Sequence, residues 1–505
     1  MKTTNDSIFS FTRAGGLLVH PTSLPGDYGI GDLGTNAYKF IDFLKENNLH
    51  VWQILPLGPT GYGNSPYQCF SAFAGNPYLI SIDQLVKHYK LTETIDKPEV
   101  EDHHTVDFEK IISFKLKFLT KFYRDHFKKL DFENNIEYQK FKKEEGFWLN
   151  EYSLFMSIKT SFNQKSWLKW DSDFKLRNPN TLKKWSLEHA KEIEYQKFIQ
   201  FIFFSQWKEL KAYAVENEIT IVGDIPIYVA LDSADVWSNQ HLFILKDGDP
   251  TVIAGVPPDF FSKTGQLWGN PIYNWPLMKK NKFNWWIKRI SQMLKLVDVI
   301  RLDHFRGFEA YWEVPGKDTT AEKGKWVKAP GDELFKTLKK KFNPLPLIAE
   351  DLGVITPEVI ALRDKYAFPG MKILQMAFGD HKFVEKRFLP HNLTKNSVMY
   401  TGTHDNEPII AWWKNCPEKV KKMTLEYLDA SNEEFASAFI RSVWSSVSAL
   451  AVIPLQDLLR KGSESRMNFP GTLSHNWEWR FTWDEITEDY LDELNLFTEI
   501  YERNS

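Results

Sequence analysis

The chain has 505 residues, of which 43% are hydrophobic and 26% charged, so it can bury a large core. Its formal net charge of −3 gives no electrostatic reason to expect nucleic acid or an anionic membrane as a partner. No apolar run approaches the roughly 20 residues that a membrane span needs, and no basic-then-apolar signal pattern opens the sequence. The two cysteines are too few for a disulfide framework, so these features together predict a soluble cytoplasmic protein.

Eight short apolar segments predict buried β-strands, and amphipathic segments between most of them predict helices. The predicted strands are 16–21, 50–55, 219–226, 299–303, 345–350, 372–376, 397–402 and 450–454. The predicted helices that separate them include 36–47, 285–296, 356–365, 417–428 and 433–447. Eight strands alternating with helices are typical of a (β/α)₈ TIM barrel, the fold class that we predict.

Two long segments interrupt this alternation. Residues from about 60 to 215 begin as a Gly- and Pro-rich loop and continue with helical spacing, which predicts a helical insertion. Residues from about 230 to 290 are again rich in Gly and Pro, and we expect a loop-rich segment along a substrate groove. The expected organisation is one catalytic barrel over residues 1–505 that carries both insertions.

Acidic residues lie at the carboxyl ends of four different predicted strands: Asp224, Asp303, Glu350 and Asp405. Strand side chains alternate between faces, so Arg301 shares a face with Asp303. An Arg-x-Asp pair by itself is also typical of a structural ion pair. Active sites of TIM barrels lie at the carboxyl ends of the strands. All four residues here are acidic and none is basic or neutral, which favours an active site over purely structural charges.

Converging carboxylates suit either a divalent metal or glycoside chemistry. The flanking loops carry four large aromatic residues, Tyr62, Phe260, Phe261 and Trp268, which is unfavourable for a metal site. Acids that bind hydroxyl groups and aromatic faces that stack on rings favour sugars. Cleavage of a glycosidic bond needs two carboxyl groups, a nucleophile or base and an acid with a raised pKa.

Six motifs make the sequence recognisable, and they occupy residues 58–67, 254–271, 301–307, 349–353, 401–406 and 466–471. They include Gly-Pro-Thr-Gly-Tyr-Gly-Asn-Ser-Pro-Tyr, Arg-Leu-Asp-His-Phe-Arg-Gly and Thr-Gly-Thr-His-Asp-Asn. With them the chain resembles the 4-α-glucanotransferases, the amylomaltase or disproportionating-enzyme family, relatives of the α-amylases. The resemblance runs from about residue 15 to 480, and the sequence after residue 472 is too short for an added starch-binding domain.

The resemblance implies catalytic roles for three carboxyl groups. Asp303 would be the nucleophile of a covalent glucosyl-enzyme, and Glu350 the general acid and then base. Asp405 would bind hydroxyls of the cleaved unit and stabilise the transition state. A retaining mechanism predicts that the carboxyl groups of Asp303 and Glu350 lie about 5–5.5 Å apart. Asp351 is a rival to Glu350, but strand alternation predicts that it points away from the barrel axis.

Substrate-binding roles are implied for the residues around these carboxyl groups. They are Arg301, His404, Asp224, Tyr62, Ser65, Phe260, Phe261 and Trp268. The expected substrates are maltooligosaccharides and other α-1,4-glucans derived from starch or glycogen, with glucose as an acceptor. No metal and no cofactor is expected.

Four other functions remain open at this stage. An α-amylase-like hydrolase or a branching enzyme would use the same intermediate, and the loops around Tyr62 and Phe260 argue against both. A catalytically inactive glucan-binding protein is possible on the same scaffold, because a fold does not determine function. A metal-dependent enzyme would lose its activity in the presence of a chelator.

Overall fold

Eight parallel strands form a closed barrel, which confirms the predicted fold class. In the computed structural model, which describes residues 13–92, 95–258, 263–379, 384–472 and 474–504, each strand pairs with its neighbours in chain order. The eighth strand pairs with the first and closes the barrel. Barrel strands 1 to 8 are Ala14–Leu18, Val51–Gln53, Thr220–Pro226, Val299–Asp303, Leu347–Ala349, Gly370–Ile373, Ser397–Tyr400 and Leu450–Pro454.

Most residues of the barrel strands are apolar and buried, because both faces of these strands are covered. The described helices that precede or follow them are Thr35–Glu46, Ala190–Glu216, Asn284–Leu296, Gly331–Lys341, Pro357–Lys365, Ile409–Asn415, Glu418–Leu428, Phe435–Ser445, Leu455–Leu458 and Glu488–Ile500. Between barrel strands 6 and 7 the described residues form only 3₁₀ turns, unlike the predicted alternation. Pro390 lies in this connection and lacks the N–H that an interior helix position needs, so it begins a single turn.

The segment between barrel strands 2 and 3 is mostly helical. Its helices before Ala190–Glu216 are Ile82–His88, Phe108–His126, Ile136–Glu144, Gly146–Ser161, Ser172–Lys175 and Pro179–Glu188. Many of their aromatic residues are buried among one another, for example Phe122, Phe132 and Phe198. Many of the aromatic residues of the sequence therefore form the core of this helical segment.

An antiparallel sheet of four strands lies outside the barrel, and the sequence analysis does not predict it. Its strands, in spatial order, are Lys325–Lys328, Ala310–Pro315, Val252–Val256 and Gln266–Pro271. Short helices, Ala234–Ser238 and Trp275–Lys280, and a small hairpin, Leu245–Lys246 with Asp249–Pro250, flank it. Glycines and a register shift between Ile253 and Gly255 hide the period-two pattern that would indicate strands.

No α-helix among the described residues is both long and apolar enough to cross a membrane.

Candidate active site

Arg301 connects two carboxylates at the mouth of the barrel. Its Nη1 lies 2.5 Å from Oδ2 of Asp224, and its Nη2 lies 2.9 Å from Oδ1 of Asp303. Asp224 is paired with Arg301 in the register of barrel strands 3 and 4, and Asp303 lies two residues further along strand 4. The side chains of Arg301 and Asp224 are almost fully buried, whereas that of Asp303 is 30% exposed. The planar guanidinium thus orients a carboxylate that still faces the mouth.

Asp224 is buried completely and has a second donor, the hydroxyl of Tyr67, whose Oη lies 2.9 Å from Oδ2. Its other oxygen, Oδ1, has no hydrogen-bond partner among the described residues. Burial raises the pKa of Asp224 to about 7, while the charge of Arg301 opposes this shift. The arrangement leaves one buried acceptor next to the ion pair for a hydroxyl group or a water molecule.

Glu350 follows barrel strand 5 directly and accepts two backbone hydrogen bonds. The N–H of His304 lies 2.7 Å from Oε2, and the N–H of Leu352 lies 2.9 Å from Oε1. Burial, and next the negative charge of Asp303, raise the pKa of Glu350 to about 8, against the effects of Arg301 and the backbone N–H groups. Glu350 therefore carries a proton at neutral pH, as a general acid must.

Asp405 lies in the loop after barrel strand 7, and its side chain is 47% exposed. Asn468 Nδ2 donates to its Oδ1 at 2.6 Å, and Arg466 Nη2 donates to its backbone oxygen at 2.7 Å. His404 Nε2 lies 3.5 Å from the other carboxylate oxygen. The carboxylate is thus held at the rim, with part of its surface free for a ligand.

The imidazole of His404 packs between two aromatic side chains. Its ring stacks on Tyr67 at a centroid distance of 5.1 Å and lies 5.9 Å from the ring of Trp477. Burial lowers the pKa of His404, so the ring is neutral at neutral pH and can donate one hydrogen bond and accept another.

Comparison with known proteins identifies the family. Residues 19–486 match the family model described as Glyco_hydro_77, 4-alpha-glucanotransferase. The chain belongs to the 4-α-glucanotransferase family. A 4-alpha-glucanotransferase of Synechocystis is 47% identical over 97% of this chain and 98% of its own length, and one of Thermus thermophilus is 45% identical over 97% and 99%.

Solved structures agree with this assignment. The amylomaltase from Streptococcus agalactiae in complex with acarbose superimposes with a TM-score of 0.92, at 41% identity, over 97% of this chain and 99% of that chain. Amylomaltase from Corynebacterium glutamicum shares the fold, with a TM-score of 0.75 at 16% identity, over 98% of this chain and 75% of that chain.

In this 4-α-glucanotransferase family member, Asp351 is not available as a second acid. Its Oδ1 accepts the backbone N–H of Met371 at 2.8 Å, and its other oxygen pairs with Arg363 and, at 3.3 Å, with Lys372. The side chain is buried between barrel strands 5 and 6, as strand alternation predicts. Glu350 lies close enough to Asp303 for the charge of that residue to raise its pKa.

The predicted aromatic and loop residues have different surroundings. Trp268 lies edge-on to His304, the residue after barrel strand 4, with ring centroids 4.8 Å apart. Tyr62 is 75% exposed on a 3₁₀ turn, and Ser65 Oγ accepts the N–H of Tyr67 at 3.2 Å, so this hydroxyl stabilises the turn. Phe260 and Phe261 lie outside the described residues.

Sequence reasoning missed Tyr67, Asn468 and Trp477, which contact Asp224, Asp405 and His404. Tyr67 and Asn468 lie within the recognised motifs, so attention to every polar residue of those motifs would have found them. Trp477 lies beyond the last motif, and no sequence signal distinguishes it from the other tryptophans. Among the described residues, no group of three or more His, Cys, Asp or Glu side chains is arranged to hold a metal ion.

Proposed function

We propose that this chain transfers segments of α-1,4-glucans between maltooligosaccharides by a retaining double displacement, with glucose among its acceptors. The observation that carries the proposal is the pair formed by an Arg301-bound Asp303 and a buried, protonated Glu350 at one barrel mouth. Two carboxyl groups with opposite protonation states are what the first step of this reaction needs.

In the first step, a carboxylate oxygen of Asp303 attacks the anomeric carbon of the donor glucan. The bond from that carbon to the glycosidic oxygen breaks, and Glu350 gives its proton to the departing oxygen. The products are a covalent glucosyl-Asp303 ester and a shortened glucan with a new hydroxyl group. Arg301 orients Asp303, since its Nη2 lies 2.9 Å from Oδ1 of that carboxyl group.

In the second step, the 4-hydroxyl group of an acceptor sugar attacks the same carbon. Glu350, now ionised, takes the hydroxyl proton, and the ester bond to Asp303 breaks. Asp405, His404 and Asp224 bind hydroxyls of the transferred unit and stabilise the positive charge that develops on it. Two inversions leave the α-configuration unchanged, and both carboxyl groups return to their starting states.

Transfer requires that a sugar hydroxyl reaches the intermediate before water does. Trp268, beside His304, and the exposed Tyr62 are the described aromatic residues that we propose as acceptor platform and lid. We also expect acarbose to inhibit the chain, because the Streptococcus agalactiae amylomaltase was solved in complex with it. Cys69 and Cys416 are free thiols, which suits the reducing cytoplasm where we propose that the protein works.

Incubation of the purified protein with pure maltotriose tests the function, with the products separated by chromatography. Longer maltooligosaccharides together with glucose, without a net gain of reducing ends, are the expected result. A D303N variant should form no products at a comparable unfolding temperature. Shorter sugars alone, with a rise in reducing ends, would show a hydrolase and would contradict the proposal.

A further inference from the structure

Asp457 is a buried carboxylate that the proposed reaction does not use. It lies in the short helix Leu455–Leu458, directly after barrel strand 8, and only 1% of its surface is exposed. Both of its oxygens accept hydrogen bonds, one from Thr401 Oγ1 at 2.5 Å and one from the backbone N–H of Ile409 at 2.8 Å.

These two donors mark the two ends of one loop. Thr401 follows the last residue of barrel strand 7, and Ile409 is the first residue of the helix Ile409–Asn415. Residues 402–408 between them carry His404 and Asp405. One buried carboxylate therefore ties together both ends of the loop that presents Asp405 at the rim.

Hydrogen bonds as well as packing hold this loop in place. A cavity of about 10 Å³, roughly the room of one water molecule, lies between the loop and the residues Pro454, Asp457 and Met467. Asp405 itself is about half exposed. The loop is also held by the packing of His404 against Tyr67 and Trp477, and by hydrogen bonds from Arg466 and Asn468 to Asp405 and from Gln375 Nε2 to the backbone oxygen of Glu407 at 2.8 Å.

We propose that Asp457 is a positioning residue that sets the place of Asp405 through the two ends of its loop. The inference rests on the role proposed above for Asp405 in binding the transferred sugar. Without Asp457 the hydroxyl of Thr401 and the N–H of Ile409 lose their acceptor, and the loop becomes free to shift. A shift of about 1 Å at a group that stabilises a transition state lowers kcat about 100-fold, with a smaller effect on KM.

Four substitutions separate this role from a general loss of stability. D457A removes both hydrogen bonds, and we expect kcat for maltotriose disproportionation to fall about 10- to 100-fold. D457N is the conservative variant: its amide oxygen can accept from Ile409 and its amide nitrogen can donate to Thr401, so it should retain most of the activity. T401V removes one of the two bonds, and its loss should be smaller and restored in T401S.

Asp298 provides the matched control at the opposite end of the barrel. Its Oδ2 accepts the N–H of Ile221 at 2.8 Å and pairs with Lys211, just before barrel strand 4. D298A should lower the unfolding temperature without changing the kcat of the folded enzyme. If D457A has the same effect as D298A, Asp457 is merely structural and the proposal is wrong.

The decisive measurement combines D457A with D405N in a double-mutant cycle. If Asp457 acts through Asp405, D457A should cost at most about twofold in the D405N background, because the group that it positions is already disabled. Losses that multiply in the double variant would overturn the proposal. If D457A fails to fold, T401V replaces it in the double-mutant cycle. An unchanged kcat in T401V would then overturn the proposal.

The wild-type enzyme in the same assay separates the two hypotheses. An active wild type with an unchanged D457A variant refutes only the role of Asp457. A folded wild type that forms no longer oligosaccharides refutes the proposed function and this inference with it.

Discussion

Asp303 and Glu350 end neighbouring barrel strands but have different surroundings. Asp303 is partly exposed and paired with a guanidinium, whereas Glu350 is buried beside the charge of Asp303. A nearby cation favours the ionised form of a carboxyl group, and burial favours the neutral form. The roles that we propose for them, nucleophile and acid, therefore depend on position, since the two side chains have the same functional group.

The raised pKa of Glu350 predicts an alkaline limit to activity. The first step needs the protonated acid, which is present below a pKa of about 8 and lost as pH rises through it. We therefore expect kcat for maltotriose to fall with an apparent midpoint near pH 8. The measurement is a pH profile of initial rates over the range in which the protein stays folded.

A donor with a leaving group that needs no protonation is the control for this profile. With α-maltosyl fluoride the alkaline fall of the first step should disappear, and E350Q should recover much of its loss in that step. An alkaline limb that persists unchanged with the fluoride would assign it to another group.

Arg301 presents two donors in one plane, and its replacement by lysine tests that geometry. The single ammonium of R301K cannot lie close to Asp224 and Asp303 at once in the same orientation. We expect kcat to fall about 100-fold or more, the scale found when one preorganised donor is removed from a catalytic site. R177K is the matched control, since Arg177 pairs with Glu151 at 2.8 Å in the helical insertion, and its kcat should equal that of the wild type.

At the level of elements, the strands position the central residues and the loops complete the site. Asp224, Arg301 and Asp303 come from barrel strands 3 and 4, where the register places them next to one another. Tyr67 and Asn468, from the loops after strands 2 and 8, reach them and Asp405 from outside the barrel. Differences among relatives in acceptor use are therefore expected in the loops rather than in the strands.

The exposed loop around Tyr62 supplies a test of the transfer mechanism. If Tyr62 helps to hold the acceptor and exclude water, Y62A should raise the ratio of hydrolysis to transfer. The ratio is measured as reducing ends formed per longer oligosaccharide produced. L187A, which removes a side chain with a similar exposure of 74% in the helical insertion, should leave the ratio unchanged. An unchanged ratio in Y62A would remove this loop from the mechanism.

Strands and helices could be predicted from the sequence where apolar residues recur at regular spacing. The apolar strands and the amphipathic helix Asn284–Leu296 lie within two residues of their predicted starts. The outer antiparallel sheet was missed because glycines such as Gly255 and the register shift interrupt its alternation. The connection between barrel strands 6 and 7 interrupts the alternation of strands and helices, and Pro390 is a local sequence signal for this interruption.

At the scale of the whole molecule, a buried ion pair attaches the helical insertion to the barrel loops. Lys115, on the helix Phe108–His126, is fully buried, and its Nζ lies 2.9 Å from Oδ2 of Asp32 and 2.8 Å from the backbone oxygen of Ile80. Asp32 follows barrel strand 1, so this one ammonium joins two separate connections of the barrel. It also lies 5.4 Å from the centre of the Tyr28 ring.

Removing one partner of this pair should destabilise the protein strongly. K115M leaves the carboxylate of Asp32 without its cation in a buried place, and we expect a loss of about 3–5 kcal/mol in the free energy of unfolding. The double variant K115M/D32N should be much less destabilised, because no unpaired charge remains. Unfolding in urea, followed by circular dichroism, measures both.

The exposed pair of Lys97 and Asp27 is the control, because it lies beside the same Tyr28 ring. K97M should change the free energy of unfolding by no more than about 0.5 kcal/mol, since solvent screens exposed charges. If K115M were equally mild, the insertion would be held by its apolar contacts and not by the ion pair.

The sequence by itself determined the barrel, the carboxyl groups at its mouth and the family. Apolar periodicity and motif residues are local, and they require no knowledge of which segments meet. Only the tertiary structure decided that Arg301 bridges Asp224 and Asp303, that Tyr67 and Asn468 complete the site, and that Asp457 ties both ends of the Asp405 loop. Apart from the Arg301–Asp303 contact, these contacts join residues far apart in the chain. Burial and neighbouring charge, which shift the pKa of Glu350, exist only after the chain has folded.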